Sequence, residues 1–142
     1  MTSKIAEIER QIYELNTELN QLRRDNEGTE VRNYSFDTLD GSVSLLELFG
    51  DKDKLLVIHN MGQGCRYCTL WADGLNGFVP HLESTLSLVL VSKDAPELQR
   101  RFANSRGWRF KLASFGEEDW TPQYRYWQPP QGMDDGGQNL LD

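Results

Sequence analysis

The sequence predicts an α/β domain built on parallel strands and preceded by an N-terminal amphipathic heptad helix. Three observations lead there. Apolar runs of strand length near 54–59, 86–92 and 108–112 alternate with helix-like stretches. A heptad pattern fills most of the first 25 residues. The only two cysteines, Cys65 and Cys68, follow directly on the first buried run.

The leading segment, 2–25, carries Ile5, Ile8, Ile12, Leu15, Leu19 and Leu22 at alternating spacings of three and four. Ile5, Ile12 and Leu19 fall at a, and Ile8, Leu15 and Leu22 at d. A parallel pair of such helices would set Lys4 against Glu9 and Glu18 against Arg23 across the seam. The other reading is an amphipathic helix lying on its own domain. Tyr34 to Val43 alternates about an Asp-Gly step and predicts a hairpin. Residues 45–50 form a short helical turn closed by glycine. Lys54 to His59 is a buried strand. A helix begins at Cys65, and Gly74, Gly77 and Pro80 interrupt it. Leu86 to Ser92 is a second buried strand. Asp94 opens the next helix as a capping residue, with Glu97 three positions on. Trp108 to Leu112 alternates as a third strand. This β-α-β-α-β order implies parallel pairing with right-handed crossovers. From Gly116 the text turns irregular, rich in Pro, Gly, Gln and aromatics, and predicts a tail over 115–142. Its Trp120, Tyr124, Tyr126 and Trp127 suggest packing against something.

Composition narrows the function classes. The chain has 142 residues, 38% apolar and 26% charged, as expected of one soluble domain over 31–114 with its helix and tail. A net charge of −7 disfavours nucleic acid and anionic membrane as partners. No apolar stretch is long enough to span a bilayer, and MTSKIAEIERQ lacks a signal-peptide core. A cytoplasmic location is expected. In a reducing compartment, two cysteines three apart point to catalysis or metal binding.

The order strand, short loop, Cys-x-x-Cys, helix puts Cys65 at a helix N-terminus. Unpaired N–H groups and the helix dipole favour a thiolate there. Arg66 adds positive charge. Cys68, one turn in, is placed to attack a mixed disulfide and release the product. Cys65 is therefore the expected nucleophile and Cys68 the resolving thiol. Asn60, Met61 and Gly62 form the loop before them, and Gly62 and Gly64 permit tight backbone geometry. Tyr67 and Trp71 are expected as groove wall or core. Asp73 either helps remove a proton from Cys68 or serves as a solvated or capping carboxylate.

These residues resemble the thioredoxin superfamily, in its thiol-redox and peroxiredoxin branch. The stretch YSFDTLDGSVSLLELFG followed by LLVIHNMGQGCRYC carries the likeness. More narrowly, VIHNMGQGCRYCTLWADGLNG, HLE, VSKDAPE and SRGWRFKLAS resemble a bacterial thioredoxin-like family of unknown function. The likeness covers 34–114. It implies a thioredoxin-like three-layer α/β/α sandwich and thiol–disulfide exchange with a thiol or disulfide substrate, or a reductant protein. Two departures are expected to matter. The superfamily has a cis-proline loop and further antiparallel strands, and after Ser114 this sequence offers none. The only Thr-Pro, at 121–122, lies in the tail. An incomplete sheet with a bare edge follows, which invites self-pairing. A homodimer is expected through the N-terminal helix or that edge. Gly62 also stands where a peroxidase would carry a hydroxyl three before its cysteine.

Two rival functions remain open at this point. His59, Met61, Cys65 and Cys68 are soft ligands suited to copper(I) or zinc. His59 is otherwise a hydrogen-bonded core group at a strand end, and His81 is structural or exposed. The second rival is a non-catalytic interaction module with idle cysteines. No phosphate loop, Ser-His-Asp set or dinucleotide fingerprint occurs, and no organic cofactor is implied.

Overall fold

The structure is a computed structural model that describes residues 3–28 and 30–116. The chain divides into two compact units, 1–32 and 33–142.

The first unit is one helix, α1, Lys4–Asp25. Ser3 caps it, accepting the Ala6 N–H at 3.1 Å. Arg10 bridges Glu7 and Glu14, one turn away on either side. None of the helix's residues is buried, and all six seam side chains are exposed.

The second unit opens with β1 (Ser35–Thr38) and β2 (Gly41–Ser44), an antiparallel hairpin turned by Leu39 and Asp40. Gly41 takes φ +113, a conformation that L side chains rarely adopt. Ser44 and Glu47 form a reciprocal capping box on α2 (Leu45–Leu48). Then follow β3 (Leu55–His59), α3 (Arg66–Asn76), α4 (Val79–Glu83), β4 (Ser87–Ser92), α5 (Pro96–Arg106) and β5 (Lys111–Ser114). The sheet order is β2-β1-β5-β4-β3. β3, β4 and β5 run parallel, as the alternating order requires, and β1 joins β5 antiparallel.

The layers follow from the pleat of β4, whose six residues are all buried. Val89 and Val91 face one side, with Tyr34, Phe36, Leu48 and Ala113. Leu88 and Leu90 face the other, with Ala72, Val79, Ala103, Trp108 and Phe110. Helices α3, α4 and α5 thus cover one face, and α2 packs on the other, where Tyr34 and Phe36 from the hairpin side of the same sheet extend the core. Gln99, buried in α5, donates to Ser92 Oγ and to the Ala113 carbonyl, both at 2.9 Å, and ties the helix layer to two strands.

Three local expectations are corrected. The third strand starts at Lys111, because Trp108 and Phe110 turn into the helix-side core. Helix α3 continues through Gly74 and ends at Gly77, after which Pro80 sits in the first turn of α4, where its missing N–H costs nothing. Asp94 does not cap α5. Ala95 stands at that position without a side-chain bond, and Asp94 is engaged elsewhere. The tail from 117 onward, with its aromatics and Thr121-Pro122, lies outside the described residues.

Leu90 is 1% exposed at the centre of the helix-side core. Leu90→Ala is expected to lower unfolding free energy by about 2–5 kcal/mol in urea titration. A loss well below that range would mean the core closes around the cavity.

Candidate active site

The site is built at the C-terminal end of β3. The Asn60 N–H continues the ladder onto the Val91 carbonyl at 2.8 Å, so the chain leaves the sheet one residue after His59. Asn60 is buried and folds back on itself, its Oδ1 accepting the Gly62 N–H at 2.8 Å. Its side-chain nitrogen is buried with no hydrogen-bond partner among the described residues. Such a group stores cost of about 1–3 kcal/mol, the kind of tension found at functional sites.

Gly62 explains why this loop has that residue. It takes φ +108, and a Cβ there would lie 2.9 Å from Asp94 Oδ1. The other Asp94 oxygen accepts the Gln63 N–H at 2.8 Å. Ser114 Oγ donates to the Asp94 carbonyl at 2.6 Å. The cysteine loop is therefore pinned to the β4–α5 connection, which is pinned in turn to β5. Asp94 is the residue that the sequence reading missed. Its capping-box spacing pointed to a local role, and only the fold brings it beside Gly62.

Cys65 is the N-cap of α3, and its sulfur accepts the Cys68 N–H at 3.2 Å. Thr69 secures the same turn, donating its hydroxyl to the Cys65 carbonyl at 3.0 Å. The Cys68 sulfur points back to the loop and accepts the Met61 N–H at 3.4 Å. Both thiols are free and half-buried. Burial, followed by the hydrogen bond to Cys65, pushes the Cys68 thiol up to about 11. Gln63, Gly64, Arg66, Tyr67, Thr69, Leu70, Asp73, Phe102 and Arg106 line an open cleft of about 570 Å³ between α3 and α5.

Other expected residues fall as follows. Arg66, Tyr67, Met61 and Trp71 are exposed. Asp73 is held by the Arg106 guanidinium and by the Trp108 indole N–H, the latter at 2.7 Å. Arg106 keeps its carboxyl below the usual carboxylate range. Asp73 therefore joins α3 to the end of α5. His59 is exposed and stacks on Phe115, with ring centroids 5.7 Å apart. Among the described residues no three His, Cys, Asp or Glu side chains converge as a metal site would require. No helix among them is long and apolar enough to cross a membrane.

The Cys68 value carries a sign. A folded thiol raised from 9 to about 11 favours the protonated fold, so its contribution to stability is whole below about pH 9 and is lost between 9 and 11. Alkylation should show the same asymmetry. Mapping by mass spectrometry is expected to find Cys68 unmodified by iodoacetamide at pH 8, with labelling that climbs toward pH 11. Cys65→Ser should retain a Cys68 midpoint above 9, because burial is the larger cause. A midpoint at the free-thiol value would remove the asymmetry.

Among solved structures, the chain is similar to a candidate protein disulfide isomerase from Bacteroides thetaiotaomicron, at 18% identity and a TM-score of 0.52, covering 66% of this chain and 60% of that one. It is similar to the C-terminal domain of an uncharacterized protein from Bacteroides fragilis, at 17% identity and TM-score 0.46, covering 63% and 66%. A thioredoxin-like protein from Bacteroides caccae matches at 24% identity and TM-score 0.47, covering 76% and 39%. The match spans less than two thirds of each of those chains. The fold is thioredoxin-like, as the sequence implied. No curated protein matches the chain. The pattern of one family does, over residues 3–139, and the chain belongs to that family, the bacterial proteins of unknown function DUF899.

Proposed function

We propose that the chain is a thiol–disulfide oxidoreductase with Cys65 as nucleophile and Cys68 as resolving thiol. One observation carries the reading. The Cys65 sulfur caps α3 and receives a helix N–H, while the Cys68 sulfur is withdrawn into the loop. A helix start favours negative charge on sulfur, and burial disfavours it. In the reducing direction, the Cys65 thiolate attacks one sulfur of a substrate disulfide. A Cys65–substrate bond forms, and the other substrate sulfur leaves as thiolate. Cys68 then gives its proton to water and attacks Cys65. The substrate leaves as a dithiol, and the enzyme holds a Cys65–Cys68 disulfide. A dithiol reductant protein returns two electrons. Cys68 binds its proton tightly, so the second step is expected to accelerate as pH rises.

Insulin reduction with dithiothreitol as electron source tests this. Cys65→Ser should fall to the uncatalysed rate. Cys68→Ser, reduced and then mixed with insulin without dithiothreitol, should accumulate a mixed disulfide with substrate, visible by mass. A wild type that never exceeds the uncatalysed rate would leave an interaction module with idle thiols.

The seam of α1 supports a parallel pairing of two copies. Ile at two of three a positions and Leu at two of three d positions suit two strands. A parallel pair superposes residue 12 of both copies at the seam. Ile12→Cys, in a chain whose Cys65 and Cys68 are serine, is expected to cross-link to itself on mild oxidation. Absence of the cross-link at high concentration would reject the seam.

A further inference from the structure

Four consecutive N–H groups leave the end of β3 for four different acceptors. Asn60 donates to the Val91 carbonyl at 2.8 Å, and Met61 to the Cys68 sulfur at 3.4 Å. Gly62 donates to Asn60 Oδ1 and Gln63 to Asp94 Oδ2, each at 2.8 Å. The Gly62 carbonyl then accepts the Cys65 N–H at 3.0 Å and closes the turn. Side chains do not hold this path. Those of Met61 and Gln63 are exposed, and Gly62 has none. The course of residues 61–63 is therefore set by its hydrogen bonds.

Of the four acceptors, Asp94 alone is a side chain from a distant part of the sequence, 31 positions beyond its donor. It is also a fixed one. The Asp94 carbonyl accepts the Ser114 hydroxyl at 2.6 Å, and Ser114 is buried at the end of β5. The next residue, Phe115, donates its N–H to the Ser92 carbonyl at 3.0 Å, which ties the chain entering Asp94 to the same strand end. The carboxylate meets the turn at two adjacent residues. One oxygen takes the Gln63 N–H, and the other stands 2.9 Å from where a Cβ on Gly62 would lie. Without that carboxylate the Gln63 N–H loses its acceptor. The turn would then rest on a glycine at φ +108, the residue type with the most backbone freedom.

The donor that matters chemically sits just before that glycine. Burial pushes the Cys68 thiol up, and the Met61 N–H acts against it by favouring charge on the sulfur. A loop that swings at Gly62 takes this donor off line, because hydrogen bonds weaken steeply with misalignment.

We propose that Asp94 is a positioning residue for the resolving step, holding the Gly62–Gln63 turn so that the Met61 N–H stays on the Cys68 sulfur. The inference rests on the reading of Cys65 as nucleophile and Cys68 as resolving thiol. In that step Cys68 gives its proton to water and its sulfur bonds to Cys65. The substrate sulfur leaves Cys65 with the bonding electrons, as a thiolate.

The test follows the two thiol steps separately. The full chain, reduced and freed of reductant, is mixed with one equivalent of dithiobis(nitrobenzoate), whose thiolate is coloured. Attack by Cys65 releases one thiolate, and attack by Cys68 on the mixed disulfide releases the second. At about pH 6 Cys68 is almost wholly protonated, so the second release is the slower one and is independent of concentration. Asp94→Ala should leave the first release within about three-fold and slow the second by about ten-fold or more, the loss expected for one hydrogen bond to a charged group. Asp94→Asn keeps an oxygen for the Gln63 N–H and should hold the second release within about three-fold of wild type. Gly62→Ala crowds the same carboxylate and should also slow the second release, which keeps the test open if Asp94→Ala does not fold. A second release at the wild-type rate in either alanine variant would overturn the proposal. Equal slowing of both releases by Asp94→Ala would do so too, since general loosening acts on both. So would an Asp94→Asn as slow as Asp94→Ala. A wild type that releases only one thiolate would remove the resolving role of Cys68, and the role of Asp94 with it. Two releases in the wild type with Asp94→Ala unslowed would remove the role of Asp94 alone.

Discussion

The structure depends on burying β4 on both faces. Six consecutive residues with no exposed side can be satisfied only by a strand on each flank and a layer above and below. The parallel neighbours β3 and β5 answer the first requirement. Helices α3 to α5 on one face, and α2 on the other, answer the second. The ladder between β3 and β4 then decides where the cysteine loop begins, because it runs to Asn60 and stops. The cysteine loop is thus positioned by the strand whose residues are all buried.

Two thiols three residues apart acquire different characters from that placement. Cys65 stands where the helix begins and accepts an N–H from inside it. Cys68 lies one turn deeper, and its thiol is pushed up to about 11. The difference comes from the boundary between loop and helix. Asp94 holds that boundary, because its carboxylate takes the Gln63 N–H and occupies the space in front of Gly62. A residue with no contact to either sulfur thereby controls the angle at which the chain enters α3. Asp73, the carboxylate that sequence spacing offered as a proton acceptor, is committed instead to Arg106 and Trp108.

What could be read in advance follows from range. Cys65 at a helix start is local information, carried by a buried run, a loop and a helical face within some twenty residues, and the structure has it as expected. The parallel order of β3, β4 and β5 follows from alternation along the chain, and it too is as expected. Strand limits were less legible. Trp108 and Phe110 alternate like a strand, but their size suits the pocket under α5, where Phe102 meets the Trp108 ring edge-on. Asp94 was misassigned because a capping-box spacing is a local signal, and a carboxylate can bond only one set of donors well. The Gln63 N–H, 31 positions earlier, won that competition. No single sequence states such a choice, since it depends on two loops meeting at the ends of neighbouring strands.

Strand β3 links the fold to the chemistry. Two residues beyond its end, the Met61 N–H touches the Cys68 sulfur. The backbone direction of β3 and the environment of Cys68 are therefore set by one continuous stretch, residues 55–61. The hydrogen bond from Met61 is one of the few contacts that favour charge on Cys68, acting against burial. The backbone course of β3 and proton release at Cys68 thus bear on the same seven residues.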